Sequence, residues 1–276
     1  MPELNLKDRK IKTDKKAFVM GIVNATPDSF WSGSRGGIEI ARRLIDEGAD
    51  ILDLGAESTR PGSRYIDAEE ELDRLLPVLK EIRKISSIPV SIDTRKSSVM
   101  KACIDEGADI LNDVSALEDD ENMACLCASQ KIPVILMHKK STPDVMQNNP
   151  VYDNVFLEVN SYLKQRIDFA LRSGIPNDKI ILDPGIGFGK SAEDNICLIK
   201  RCGELAEGKF PVLMALSRKS VIGFLTGKPV EERMAGTLAA NIIAVERGAS
   251  LIRVHDVKEA VDSLAVLRGI NFECCR

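Results

Sequence analysis

Asp46-Glu-Gly-Ala-Asp-Ile-Leu-Asp53 returns later in the chain as Asp105-Glu-Gly-Ala-Asp-Ile-Leu-Asn112, and more loosely as Glu246-Arg-Gly-Ala-Ser-Leu-Ile-Arg253. In each copy a glycine stops a helical segment and an apolar strand begins at once, the αβ turn of a wound α/β unit. Outward from these echoes, apolar runs occupy 18–23, 51–55, 89–93, 108–113, 133–138, 180–183, 211–216 and 251–255. Near-continuous runs rich in Val and Ile suit parallel strands buried on both faces. Helical periodicity fills 37–48, 68–85, 97–107, 151–174, 192–202, 230–248 and 257–268. Eight such units in 276 residues predict an α/β fold closed into a single (β/α)8 TIM barrel rather than an open doubly wound sheet.

Residues 1–16 are charged and polar and read as a short N-terminal extension, a bottom plug or hairpin, ahead of a barrel domain over 17–276. No leader or membrane segment is expected from them. With 38 basic against 42 acidic residues the net charge is −4, and no basic face of the size nucleic acid requires stands out. Small-molecule partners are therefore expected, and neither nucleic acid nor membrane. The seven cysteines are odd in number and lack a C-x-x-C pair or zinc spacing with the two histidines, which suits reduced thiols in the cytoplasm.

A parallel barrel gathers its strand ends on one face, so the residues closing each run are candidates for one pocket. They are Asn24, Glu57, Asp93, Asn112 with Asp113, His138, Asp183, Ser217, and Arg253 with His255. Asp93, Asn112 and Asp183 could present acceptors and donors to a flat nitrogen heterocycle, or bond neighbouring backbone and basic residues. Arg253 and His255 alternate along one strand and share a face, where together they suit an anion. Glu57 and His138 read as supporting positions.

The loops after the first, second, fifth and sixth runs are long and rich in Gly, Pro, Ser and Thr. In the second, Glu57-Ser-Thr-Arg-Pro-Gly62, an arginine beside hydroxyls is either solvated or a clamp for an anionic group. Pro184-Gly-Ile-Gly-Phe-Gly-Lys-Ser191 has the ending of a phosphate-binding P-loop, but Pro184 stands where that motif needs its first glycine, and the nucleotide reading is rejected. Ser217-Arg-Lys-Ser220 opens a helix, where backbone N–H groups favour anions. No Ser or Cys sits in an evident hydrolytic triad.

The ordered strings GIVNATPDSF, DLGAESTRPG, SIDT, NDVSA, LMH, DPGIGFGK, SRKS and RVHD resemble those of the dihydropteroate synthases, a family of pterin-binding TIM barrels, and the resemblance runs from about Phe18 to about Leu267. It implies condensation of 6-hydroxymethyl-7,8-dihydropterin diphosphate with 4-aminobenzoate, releasing diphosphate. By resemblance Asp93, Asn112, Asp183 and Lys219 hold the pterin, with Met137 and Phe188 against its faces. Asn24 meets Mg2+ and the diphosphate, Arg253 and His255 bind the diphosphate oxygens, and Thr59 lies beside them. Phe30, Thr59, Arg60, Pro61, Lys219 and Ser220 match positions used for 4-aminobenzoate. Lys219, Arg253, His255 and Asp93 are the implied catalytic groups, and a homodimer through barrel helices is implied.

The chain departs from that pattern at Trp31-Ser-Gly-Ser34, where the family has Ser-Asp-Gly-Gly, and at His138-Lys-Lys-Ser-Thr142. Two other readings share the pterin acceptors: a methyltetrahydrofolate-dependent methyltransferase, against which the ESTRPG and SRKS strings weigh, and a non-catalytic pterin binder.

Overall fold

A computed structural model of the chain describes residues 1–25, 35–57, 66–140 and 151–271. The elements run β1 (Glu3–Asn5), β2 (Lys10–Lys12), β3 (Phe18–Asn24), α1 (Arg35–Asp46), β4 (Ile51–Gly55), α2 (Ala68–Ile85), β5 (Val90–Asp93), α3 (Ser97–Asp105), β6 (Ile110–Asp113) and α4 (Met123–Gln130). They continue as β7 (Val134–Met137), α5 (Val155–Arg172), β8 (Ile180–Asp183), α6 (Ala192–Lys200), β9 (Leu213–Met214), α7 (Ser220–Thr226), α8 (Met234–Glu246), β10 (Leu251–Val254) and α9 (Val257–Ile270).

Eight strands pair in parallel in the order β8-β7-β6-β5-β4-β3-β10-β9. A parallel bridge between Leu182 and Val212 joins the two ends of that order and closes the barrel. The expected alternation is thus present, with three differences. A helix the periodicity did not reveal, α4, connects β6 to β7; it is only eight residues long, MACLCASQ, and apolar on most sides. The seventh run, expected over 211–216, is a ladder of only Leu213–Met214 beside the Leu182–Val212 bridge. The 230–248 segment is a 3-10 turn, Val230–Glu232, followed by α8.

Period-two alternation sorts the strand residues between two cores. Val19, Leu52, Ile92, Leu111, Leu136, Leu182 and Ile252 face outward and pack with the helices. Phe18, Met20, Ile51, Ile110, Ile135, Ile181, Leu213 and Leu251 point inward and form a separate cluster with Leu4 and Leu6 of the β1–β2 hairpin. The hairpin is therefore the barrel floor, fastened by Lys179 Nζ, which donates to the carbonyls of Asn5 (3.1 Å) and Leu6. Each fully buried Leu or Ile of this kind contributes about 1.5–3 kcal/mol.

Helix α2 illustrates how sequence sets the outer layer. Asp67 caps it by accepting the Glu70 N–H at 2.8 Å, Glu69–Glu71 fill its positive end and Arg83 and Lys84 its negative end. Leu75, Val78, Leu79 and Ile82, spaced at three and four, are its buried stripe.

Candidate active site

Two residues further along the inward-facing rows, the apolar floor gives way to polar groups and one methionine. Ile51 is followed by Asp53, Ile110 by Asn112, Ile135 by Met137, Ile181 by Asp183 and Leu251 by Arg253. Asp93 joins them as the register partner of Gly55 and Asn112. Of the strand-ending residues singled out in the sequence, Asp93, Asn112, Asp183 and Arg253 therefore converge above one floor.

Arg253 is the centre of the cluster. Its Nε donates to Asp53 Oδ2 at 2.6 Å and its Nη2 to Asp93 Oδ2 at 3.1 Å. Asn112 Nδ2 donates to the same Asp53 oxygen at 3.2 Å. Burial drives the Asp93 carboxyl up to about 7, against the pull of Arg253 and with help from the Asp53 charge. Burial raises the Asp183 carboxyl as well, although Lys219 draws it back. Lys219 is pushed down to about 8, chiefly by burial, with Asp183 resisting and Arg253 adding to the shift.

Lys219 reaches across from the N-terminus of α7 to the turn after β8. Its Nζ donates to the Ile186 carbonyl and lies 4.9 Å from the centre of the Phe188 ring. That turn is built from Gly185, Gly187 and Gly189, all in the left-handed region. At Gly185 the requirement is absolute, because a Cβ would sit 1.8 Å from the His138 carbonyl oxygen. Lys190 locks the turn: its Nζ donates to the carbonyls of Gly185 (2.8 Å), Phe188 (3.0 Å) and His138 (3.3 Å). Burial lowers this lysine to about 7. Ser191 and Asp194 then start α6 with a capping box. The P-loop-like lysine is thus turned into the fold and spent on carbonyls.

The remaining expected residues divide. Asn24 ends β3 half-buried, and Met137 is buried at the end of β7. His255 is anchored by Ser217, whose Oγ accepts the His255 N–H at 3.2 Å and lies 3.0 Å from Nδ1. Ser220 is exposed as the first residue of α7, and the cap position belongs to Lys219. Arg218 turns away to Asp256 at 2.6 Å. Phe30, Thr59, Arg60, Pro61 and the Trp31–Ser34 departure lie outside the described residues.

Glu57 is a structural anchor, accepting the Ile66 N–H at 3.0 Å and pairing with Arg95 at 3.2 Å and Lys96 at 3.3 Å. His138 is buried against Tyr162 and Tyr152, and burial lowers it to about 3. Asp113 folds its own loop, accepting the Ser115 N–H at 2.8 Å and the Leu117 N–H at 2.7 Å. In the departure that follows His138, Lys139 pairs with Asp119 at 3.1 Å, and Lys140 Nζ lies 3.9 Å from the centre of the Tyr152 ring.

Asp53 was missed as a site residue, although it sits in the sequence echo that reveals the fold. The available signal was a carboxylate inside an apolar run, two residues from the inward Gly55, which period two turns into the barrel. Among the described residues, no group of three or more His, Cys, Asp or Glu is arranged to hold a metal, and no helix is long and apolar enough to cross a membrane.

The pattern of the family described as pterin binding enzyme matches residues 20–255. The dihydropteroate synthase of Neisseria meningitidis serogroup B is 45% identical over 269 residues, covering 93% of this chain and 94% of that protein. The Xanthomonas albilineans dihydropteroate synthase solved with 4-aminobenzoic acid superposes with a TM-score of 0.91 at 42% identity, covering 98% of both chains. The same enzyme solved with 7,8-dihydropteroate gives 0.87 at 39% identity over 99% of both. With the inward acceptors, the closed barrel and the matched span in agreement, the chain belongs to the dihydropteroate synthase family of pterin-binding enzymes.

Proposed function

We infer that the chain condenses 6-hydroxymethyl-7,8-dihydropterin diphosphate with 4-aminobenzoate to give 7,8-dihydropteroate and diphosphate. The observation that carries the reading is the Asp53–Arg253–Asp93 cluster with Asn112 at the mouth of the barrel. Asp93, Asn112 and Asp183 take the donor-bearing edge of the pterin, and Lys219 supplies the cation facing it. Met137 and Phe188 lie against the ring faces. A carboxyl that ionises near neutrality, as Asp93 does, suits an acceptor that must exchange partners when a ring N–H arrives.

In the reaction the bond between the pterin methylene carbon and the diphosphate oxygen breaks, its electron pair leaving with diphosphate. The positive charge on the methylene spreads into the ring, and the arylamine nitrogen then bonds that carbon and gives up a proton. Arg253 and His255 hold the diphosphate oxygens as negative charge gathers there. Phe30, Thr59, Arg60, Pro61, Lys219 and Ser220 are assigned to 4-aminobenzoate, with Thr59 also beside the diphosphate. Holding the arylamine over the methylene keeps water from capturing the cation.

Asn24 offers a hard amide oxygen at the end of β3 and would be the residue that holds a Mg2+ there. Bound there, the metal would neutralise charge on the leaving group. The domain is read as one catalytic barrel over 17–276 with the 1–16 extension as its floor. A homodimer through barrel helices is supported by the exposed apolar side chains Phe224 and Leu225 of α7, Val230 of the turn that follows it and Ile243 of α8. Replacing Lys219 by Ala tests the assignment of roles: turnover lost at saturating substrates supports it, and an unchanged rate removes Lys219 from the site.

A further inference from the structure

Asn112 can offer a ring either its oxygen or its NH2, and the backbone does not decide which. The deciding contact comes from below. Asp53 is fully buried, and its Oδ2 receives both Arg253 Nε (2.6 Å) and Asn112 Nδ2 (3.2 Å). A carboxylate bearing this ion pair is an acceptor only, so it fixes the amide with nitrogen down, and the trigonal geometry of the amide then turns Oδ1 to the opposite side. The other Asp53 oxygen, Oδ1, is buried without a protein partner, as is Oγ of its register neighbour Ser91.

We propose that Asp53 is a positioning residue that sets ligand specificity by orienting the Asn112 amide and the Arg253 guanidinium, so that Asn112 meets the ring as an acceptor. The site then reads donors on the ring edge, with Asp93 and Asn112 Oδ1 side by side on neighbouring strands. Asp53 also keeps a hold on Arg253 when Asp93 turns to the ligand. This proposal rests on the pterin reading above and adds a residue beneath the site that does not itself touch the ligand.

The role of an oriented acceptor differs from that of a buried charge, and two substitutions separate them. Asp53→Leu removes the acceptor at similar size. Asp53→Asn removes the charge but keeps an oxygen at the Oδ2 position, with its NH2 at the unpartnered Oδ1 position. Fluorescence titration with 6-hydroxymethylpterin is expected to show Asp53→Leu at least tenfold weaker than wild type and Asp53→Asn within threefold, with the KM for 4-aminobenzoate within twofold in both. Should Asp53→Leu not fold, Asp53→Ser, whose hydroxyl stops short of Asn112, replaces it with the same expectation. Acceptor-free variants that bind within threefold of wild type, or an Asp53→Asn variant tenfold weaker or more, overturn the proposal alone. Failure of the wild-type chain to bind the pterin overturns the functional reading and this proposal with it.

Discussion

Lys190 Nζ lies 3.3 Å from the carbonyl oxygen of His138, so a side chain of the turn after β8 is fastened to the residue that follows β7. The same ammonium holds Gly185 and Phe188, and all three of its N–H groups have carbonyl partners. Phe188 and the Ile186 carbonyl that meets Lys219 are thereby placed by a residue that itself faces the fold.

Lys190→Met keeps the stem and removes the donors. Three hydrogen bonds are lost and the buried His138 carbonyl is left without its donor, while the Gly185 carbonyl keeps the Phe188 N–H at 3.1 Å, so a loss of about 3 kcal/mol in denaturant-measured stability is expected. Because the Phe188 turn loosens, KM for the pterin diphosphate should rise roughly tenfold, about 1.4 kcal/mol. A KM unchanged beside lowered stability would separate the turn from the site.

Gly185→Ala places a methyl group 1.8 Å from the His138 oxygen at a φ of +68°. Destabilisation of about 3 kcal/mol or more is expected, read as a lowered midpoint in urea. Gly269→Ala is the contrast, since nothing lies within 4 Å of the new Cβ near the end of α9; it should be neutral or stabilising by about 0.5 kcal/mol. Equal effects at the two positions would contradict the turn geometry.

With Asp93 and Lys219 in the roles proposed above, these two groups are expected to set the pH dependence of kcat/KM. Asp93, raised to about 7, must ionise to accept from the ring, so the rate constant rises as pH climbs through about 7. Lys219, lowered to about 8, must stay protonated, so it falls above about 8. In Lys219→Arg the basic limb should move upward, because the guanidinium keeps its charge; an unmoved limb assigns it to another group. For folding, the sign at Asp93 is opposite to that of an ordinary salt-bridged carboxylate. Its native pKa is raised, so the stability it contributes is complete below about pH 4 and is lost as pH rises through about 7.

Leu4→Ala tests the floor. Leu4 is 5% exposed and packs on the inward cluster, so truncation should cost about 2–4 kcal/mol in thermal or urea unfolding. Because the polar layer stands above that cluster, kcat/KM near 25 °C should change less than twofold. A large fall in activity without loss of stability would mean that the hairpin acts on the site directly.

The barrel was legible because its strands are short and apolar and the αβ turns at Gly48, Gly107, Gly174 and Gly248 each place a glycine between helix and strand, a pattern that local sequence carries alone. Helix α4 escaped because eight residues without a polar face give no period, and β9 was read too long because PVLMAL is apolar whether or not it pairs along its whole length. Asp93, Asn112, Asp183, Lys219 and Arg253 were legible from strand ends and the ordered motifs. Asp53 was not, because its role depends on Arg253 and Asn112 meeting it from β10 and β6, relations no single run displays. Lys190 was noticed only to reject a phosphate role, and its contacts with the carbonyls of two loops become visible only when β7 and β8 lie side by side.

This barrel is expected to join two small molecules rather than merely hold a pterin. Purified chain, 6-hydroxymethyl-7,8-dihydropterin diphosphate, 4-aminobenzoate and Mg2+ are incubated, and diphosphate and dihydropteroate are measured together. Equal amounts of the two products, both absent when 4-aminobenzoate is left out, are predicted. Binding of the pterin diphosphate with no dihydropteroate formed would show a pterin binder and not a synthase.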